Sequence, residues 1–344
     1  MKFKAVRYHG HFDARLDILE MDDLANDQIR CKALRSVLSL GTETMMFNRV
    51  FDSLHRCPKD MFQNGPAMFG YSMAAEVIEV GKNVAGFTVG ERVVADIQHR
   101  QFFDIEPSPV NVQKIPDWLE PEVACWTMPM RACYCANYAA GVGPKTTVVV
   151  LGQGIFGVGG VQFARIFGAK RIIAVDPRKV RAERAAKFGA THSLNAQGCD
   201  IIEKVKEIND DQLADVVIDA TNTPESLSQA CQLLRRGGHI SLIADPPNPL
   251  QQHLGNNFLV SYLTIHCIYI RMQLLEPKGI ASLTREKMDG EIFDHFHTGK
   301  LDTKGMMTDV VSPENCQELY RMLFEDCGGH LGIQYDWSLV KEAL

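Results

Sequence analysis

Two apolar β-type runs, Val148-Val-Val-Leu151 and Arg171-Ile-Ile-Ala-Val175, bracket Gly152-Gln-Gly-Ile-Phe-Gly157 and an apolar stretch with helical spacing. This arrangement leaves the chain little choice of fold, because each glycine meets a separate mechanical demand. Gly152 permits a tight turn, Gly154 leaves the backbone bare for the approach of a pyrophosphate, and Gly157 lets the next helix lie close to the strand. The N–H groups of Gly154, Ile155, Phe156 and Gly157 would then open a helix and face the phosphates. The second strand ends in Asp176, whose carboxylate is placed to accept hydrogen bonds from ribose hydroxyls. A glycine triplet alone fits an ordinary structural turn; joined to both strands and the terminal acid, it predicts a dinucleotide site.

Beyond that unit the alternation continues. Pro177 to Lys187 reads as a charged amphipathic helix, Asp215 to Ala220 as a buried strand, and Pro224 to Leu234 as a helix. Gly237 to Ala244 and Leu263 to Ile268 read as further strands. Helices between apolar strands predict an α/β, doubly wound parallel sheet covered on both faces. Ligands of such sheets bind beyond the carboxyl ends of the strands, where Asp176, Thr221 and Ala244 should converge.

Residues 1 to about 140 differ, with short alternating strands such as Glu76-Val-Ile-Glu-Val80 between turns, then a helical pattern from Asp117 to Ala140. The Gly141-Val-Gly-Pro144 cluster is read as the boundary into the nucleotide domain. Residues 284 to 344 hold a helix, the strand-like Gly305 to Val311, a second helix from Pro313 to Glu325, and a tail through Trp337 expected to return to the first module. The expected division is thus a catalytic domain of 1–143, completed by about 285–344, and a dinucleotide-binding domain of 144–284. A length of 344 residues suits about two such domains.

A formal net charge of −6 gives no reason to expect nucleic acid or an anionic membrane as partner. No apolar run approaches the length of a bilayer span, and the first residues lack a signal-peptide core, so the expected location is cytoplasmic. The ten cysteines show neither disulfide-framework nor zinc-finger spacing and read as free thiols.

In this order of modules the chain resembles the medium-chain dehydrogenase/reductase superfamily, the alcohol dehydrogenase-like proteins, over nearly its full length. Gly41-Thr-Glu43 is similar to that family's Gly-Thr-Asp, and Gly70-Tyr-Ser-Met-Ala-Ala-Glu-Val-Ile-Glu-Val-Gly81 to its Gly-His-Glu-x-x-Gly-x-Val-x-x-Val-Gly. Phe87-Thr-Val-Gly-Glu-Arg-Val93 is similar to Phe-x-Val-Gly-Asp-Arg-Val, and Met128-Pro129 stands where many members carry Glu-Pro. The resemblance implies a Rossmann domain beside a GroES-like β-rich catalytic domain, and a homodimer.

Departures from the family pattern fall on its metal. Where zinc members place ligands, this chain has Leu40, Tyr71, Ser72 and Met128, none offering the thiolate, imidazole or carboxylate that zinc requires. The four-cysteine structural lobe is also missing between Ala95 and Pro116. The resemblance therefore implies a zinc-independent enzyme, similar to a zinc-lacking branch that includes bacteriochlorophyllide dehydrogenase-like proteins.

Without a Lewis acid, hydride transfer needs another group to handle the substrate oxygen. Thr42 matches the family's hydroxyl relay residue; the plain alternative is a threonine bonding within its own turn. Tyr71 occupies a former ligand position, from which its phenol could exchange a proton or merely fill space. His99 matches a frequent family histidine and has a useful ordinary pKa, although an isolated histidine commonly serves structure. Asp176 favours NAD over NADP, with Arg178, Lys179 and Arg181 close enough in sequence to soften repulsion of an added phosphate. The activity expected is oxidation of a secondary alcohol or reduction of a ketone, with polyols, cyclitols and sugar derivatives as candidate substrates. A zinc-free enoyl or quinone reductase and an inactive NAD-binding sensor are the alternatives.

Overall fold

The computed structural model describes residues 1–48, 65–244, 246, 249–255, 258–269, 284–326 and 328–341. Contacts divide the chain into two compact units. One comprises Met1–Met128, Asp289–His297 and Thr303–Leu344; the other comprises Pro129–Met288 and Thr298–Asp302.

The first unit opens with an antiparallel hairpin of β1 (Lys2–Gly10) and β2 (Asp13–Glu20). Its turn places Phe12 at φ 57°, a conformation uncommon for a bulky residue, where its ring meets Phe47 and Phe324 at centroid distances of 5.4 and 4.7 Å. Next come β3 (Ile29–Val37) and α1 (Leu40–Phe47), then β4 (Ala67–Met68), which pairs with β1. The strands β5 (Met73–Val80), β6 (Arg92–Ala95), β7 (Phe102–Ile105) and β8 (Val112–Lys114) extend the sheet around β3. Pro121 occupies the first turn of α2 (Pro121–Ala124), where its missing N–H is harmless, and α3 (Thr127–Ala139) follows. The sequence reading joined these two helices; Cys125 and Trp126 separate them.

The second unit alternates strand and helix: β9 (Thr147–Leu151), α4 (Ile155–Ile166), β10 (Arg171–Asp176), α5 (Lys179–Ala185), β11 (His192–Asn195) and α6 (Ile201–Ile208). It continues with β12 (Ala214–Asp219), α7 (Ser226–Gln232), β13 (Leu234–Leu242) and β14 (Thr264–Cys267). All six strands are parallel, in the order β11-β10-β9-β12-β13-β14. Successive strands leave β9 first on one side and then on the other, so the order reverses beside its carboxyl end, which is where such sheets take ligands. Every residue of β9 is buried, and Val149, Leu151, Ile173, Val175, Val217 and Ile240 share one core. Each such aliphatic side chain contributes roughly 1.5–3 kcal/mol when fully buried.

The C-terminal part supplies α8 (Arg285–His297), α9 (Thr303–Met306), β15 (Met307–Val311), α10 (Cys316–Glu325) and β16 (Gly332–Asp336). Antiparallel pairing of β16 with β3 returns the chain to the first unit, completing the order β15-β16-β3-β5-β6-β8. Leu319, Tyr320 and Leu323 of α10 bury their side chains in that unit's core with Tyr8, Phe47 and Trp337.

Candidate active site

In the β9–α4 turn the backbone meets all three demands placed on its glycines. Gly152 lies at φ 80°, and its N–H donates to the Val175 carbonyl at 2.8 Å, fastening the turn to β10. A Cβ on Gly157 would lie 1.7 Å from the Gly152 carbonyl oxygen, so any side chain there would push the helix from the strand. A Cβ on Gly154 would meet nothing within 4 Å. Gly154 is also the N-cap of α4 and supplies no side-chain cap, so the N–H groups of the first turn lack that satisfaction. Open space, bare backbone and the positive end of a helix suit the phosphates of a dinucleotide.

The acid at the end of β10 is held in part by this turn. Asp176 is only 4% exposed; it accepts the Gln153 N–H on one oxygen and the Arg178 N–H on the other, both at 2.8 Å. Its position is fixed, and each oxygen retains a further lone pair for a ribose hydroxyl. Arg178 caps α5, and Arg181 lies in that helix's first turn. Burial pushes Asp219, at the end of β12, above the usual carboxylate range despite hydrogen bonds from Ser226 and Thr221. Thr221 donates to it through Oγ1 at 2.7 Å and N at 3.0 Å, while the Ala244 N–H reaches the Asp219 carbonyl at 3.4 Å. Thr221 and Ala244 thus both attach to the end of β12, and Asp219 and Gln153 emerge as organising residues that the sequence reading missed. Their signal was their place, one at a strand end and the other inside the glycine turn.

In the first unit the three candidate catalytic positions lie close together. The His99 N–H donates to the Phe69 carbonyl at 2.8 Å, and a Cβ on Gly70 would sit 2.8 Å from the His99 nitrogen, so the residues preceding Tyr71 pack directly on His99. His99 Nε2 lies 3.1 Å from the Glu43 carboxylate, and Glu43 follows Thr42 in α1. Thr42 and Tyr71 are half-buried. His99 is fully buried, with Nδ1 engaged by Ser36 Oγ at 2.8 Å and Nε2 by Glu43. With both ring nitrogens occupied, its geometry suits holding other groups in place rather than exchanging a proton with substrate.

Glu43 is the residue that sequence reasoning passed over. Its side chain is fully buried and accepts from the Ser39 N–H at 2.7 Å, Tyr320 OH at 2.5 Å and Tyr8 OH at 3.4 Å in addition to His99. Burial works to raise its pKa, but attraction to His99 and hydrogen bonds from His99, Tyr320 and Ser39 outweigh that and lower it. Burial, reinforced by the charge of Glu43, raises Tyr8 and Tyr320 well above the ordinary phenol range, so both remain donors. Only the acid in Gly41-Thr-Glu43 hinted at this cluster; its donors are scattered from residue 8 to residue 320.

The positions where the family holds zinc offer no ligand set. Leu40 opens α1, Met128 is buried in α3, and Ser72 is fully buried and donates to the Cys125 carbonyl at 2.5 Å. Among the described residues, no three His, Cys, Asp or Glu side chains converge as a metal site. Burial pushes the Cys31 thiol up to about 12 and raises Cys125 and Cys133 as well, opposite to what a thiolate ligand needs.

Comparison with known proteins bears on the fold and on the nucleotide-binding turn. Residues 156–278 match the family model described as zinc-binding dehydrogenase. The chain is 26% identical over 350 residues to sorbitol dehydrogenase from Bacillus subtilis (strain 168), covering 92% of each. It is 26% identical over 231 residues to L-threonine 3-dehydrogenase from Pyrococcus abyssi, covering 59% of this chain and 66% of that one. Its fold is similar to that of an Escherichia coli oxidoreductase/dehydrogenase of unknown specificity involved in membrane biogenesis, with TM-score 0.83, 19% identity and coverage of 98% and 99%. Together with the six-stranded sheet and its glycine turn, these likenesses make the chain similar to the alcohol dehydrogenase-like zinc-binding dehydrogenases, the match to the family model lying within residues 156–278.

Proposed function

We propose that this chain is a zinc-independent oxidoreductase that transfers a hydride between NAD(H) and a secondary alcohol or ketone, with a polyol, cyclitol or sugar derivative as substrate. The observation that carries the reading is the open turn at Gly154, next to an α4 start that has no side-chain cap. Gly152, Gly154, Ile155, Phe156 and Gly157 would hold the pyrophosphate, and Thr221 and Ala244 would border the same strand ends. Asp176 would take the ribose hydroxyls, its negative charge favouring NAD over NADP, with Arg178 and Arg181 beside the adenosine. The bound dinucleotide supplies the hydride chemistry.

On the chain's side, Thr42 bonds the substrate hydroxyl and passes its proton, Tyr71 donates to the same oxygen, and His99 acts through Glu43. Ser72 and Met128 do not fit a zinc ion, so no step is drawn through one, and the chain is assigned to a zinc-lacking branch of its family. The sorbitol dehydrogenase relative supports a polyol. The same reading assigns catalysis to 1–143 with 285–344 and nucleotide binding to 144–284, and takes the protein as a cytoplasmic homodimer. Loss of ligand-type side chains at 40, 71, 72 and 128 equally suits an enoyl or quinone reductase, where positioning without a Lewis acid suffices.

The test is a panel of polyols, cyclitols, simple secondary alcohols, ketones and enones with NAD and with NADP, following the absorbance of the reduced cofactor in metal-free buffer. Turnover of an alcohol with NAD, unchanged by chelator, is the expected result. Turnover restricted to enones supports the second reading, and tight NAD binding with no turnover indicates a sensor.

A further inference from the structure

The cluster around Glu43 has a direction. The indole of Trp337 can only donate, and its Nε1 lies 3.0 Å from Ser36 Oγ. Ser36 therefore has its own hydrogen to give to His99 Nδ1 at 2.8 Å, which leaves the hydrogen of His99 on Nε2, facing Glu43. Donors and acceptors then balance along the whole path from Trp337 through Ser36 and His99 to the carboxylate. Glu43 also receives Ser39 N–H, Tyr320 OH and Tyr8 OH, and four donors are about what one ionised carboxylate can accept. The groups that converge on it come from β1, the N-cap of α1, the loop carrying His99, and α10.

We propose that Glu43 is a positioning residue: as the ionised terminus of this chain it holds the Nε2–H of His99 toward itself and anchors the first turn of α1, which presents Thr42. This rests on the reading of Thr42 as the residue that handles the substrate proton. Ser39 is the N-cap of α1 and makes no side-chain cap, and the Glu43 carboxylate on the Ser39 N–H ties the start of the helix to its first turn. Loss of the carboxylate frees the turn that places Thr42, and misplacement on this scale lowers turnover about tenfold to a hundredfold.

Two measurements test the proposal. The first is 15N NMR of histidine-labelled full-length protein, with His99 assigned by a His99→Gln variant. The expected signature is an Nε2–H hydrogen-bonded to the Glu43 carboxylate, and its change in Glu43→Gln. A neutral ring with its hydrogen on Nδ1 in the native protein overturns the proposal, whatever the enzyme's substrate. The second uses D-sorbitol and NAD as probes for Thr42→Val, Glu43→Gln and the double variant, with NADH affinity and urea midpoint measured alongside. Glu43→Gln should lower kcat with NADH affinity within about twofold, Glu43→Asp should recover part of it, and the double variant should be no slower than Thr42→Val. Losses that multiply, or a Glu43→Gln enzyme at the native rate beside an impaired Thr42→Val, overturn the positioning role alone. A Thr42→Val enzyme at the native rate, or native protein inert toward sorbitol, counts against the proposed function instead, and the NMR result still decides the state of His99.

Discussion

Gly154 and Gly157 belong to one turn but should respond differently to the same substitution. Gly154 has φ −79° and open space at its Cβ position, so Gly154→Ala should leave stability unchanged or raise it by about 0.4–1 kcal/mol. The added methyl occupies the phosphate's approach, and NAD affinity should fall by about tenfold or more. Isothermal titration beside urea unfolding would read both effects. Gly157→Ala, with its Cβ 1.7 Å from the Gly152 carbonyl, should instead destabilise the nucleotide unit by about 1–3 kcal/mol or more. The motif announced these roles because they are local: each depends on backbone conformation within a few residues.

Among the elements, α6 was not read from the sequence although its signals are present. Asp200 accepts the N–H groups of Ile202 and Glu203 at 3.0 and 3.2 Å, and Ile201 and Val205 turn inward. The cap and apolar positions were there, but the run of charges between them masked a stripe only one residue wide per turn. Asp200→Ala should reduce stability by about 1 kcal/mol, measured by chemical denaturation. At β16 the constraint is one of packing. A Cβ on Gly332 would lie 2.3 Å from the Trp126 ring and 2.8 Å from the Met306 carbonyl, so Gly332→Ala should lower Tm and destabilise by about 1–3 kcal/mol. No nearby residue in sequence signals that need, since Trp126 lies some two hundred positions away.

For the molecule as a whole, the buried carboxylate of Glu43 sets a pH dependence. Its folded pKa lies below the ordinary 4.5, so its contribution to stability is present above that value and is lost as pH falls through the folded pKa. Tyr8, Tyr320 and Tyr335 face it as neutral phenols and His99 as its nitrogen partner, with Cys316 behind Tyr8 and Tyr335 as a neutral thiol whose pKa burial raises to about 11. Denaturation midpoints should therefore decline below about pH 4.5 in the native protein, and Glu43→Gln should flatten that part of the profile while lowering stability at neutral pH. Equal slopes for the two proteins would show that other carboxylates dominate acid unfolding.

The nucleotide unit could be read from the amino-acid order because its information is close in sequence: continuous apolar strands, a turn that only glycine tolerates, and an acid at the next strand end. The same local reading found the β-rich module. Thr42, Tyr71 and His99 could be nominated but not given roles, since their surroundings depend on contacts between distant parts of the chain. Folding brings Tyr8, Ser36, Glu43, His99, Tyr320 and Trp337 into one buried cluster, and burial there turns ordinary side chains into a single hydrogen-bonded unit that ends on the Glu43 carboxylate. Desolvation and long-range hydrogen bonding have no periodicity along the chain, so the place of His99 became clear only with the fold.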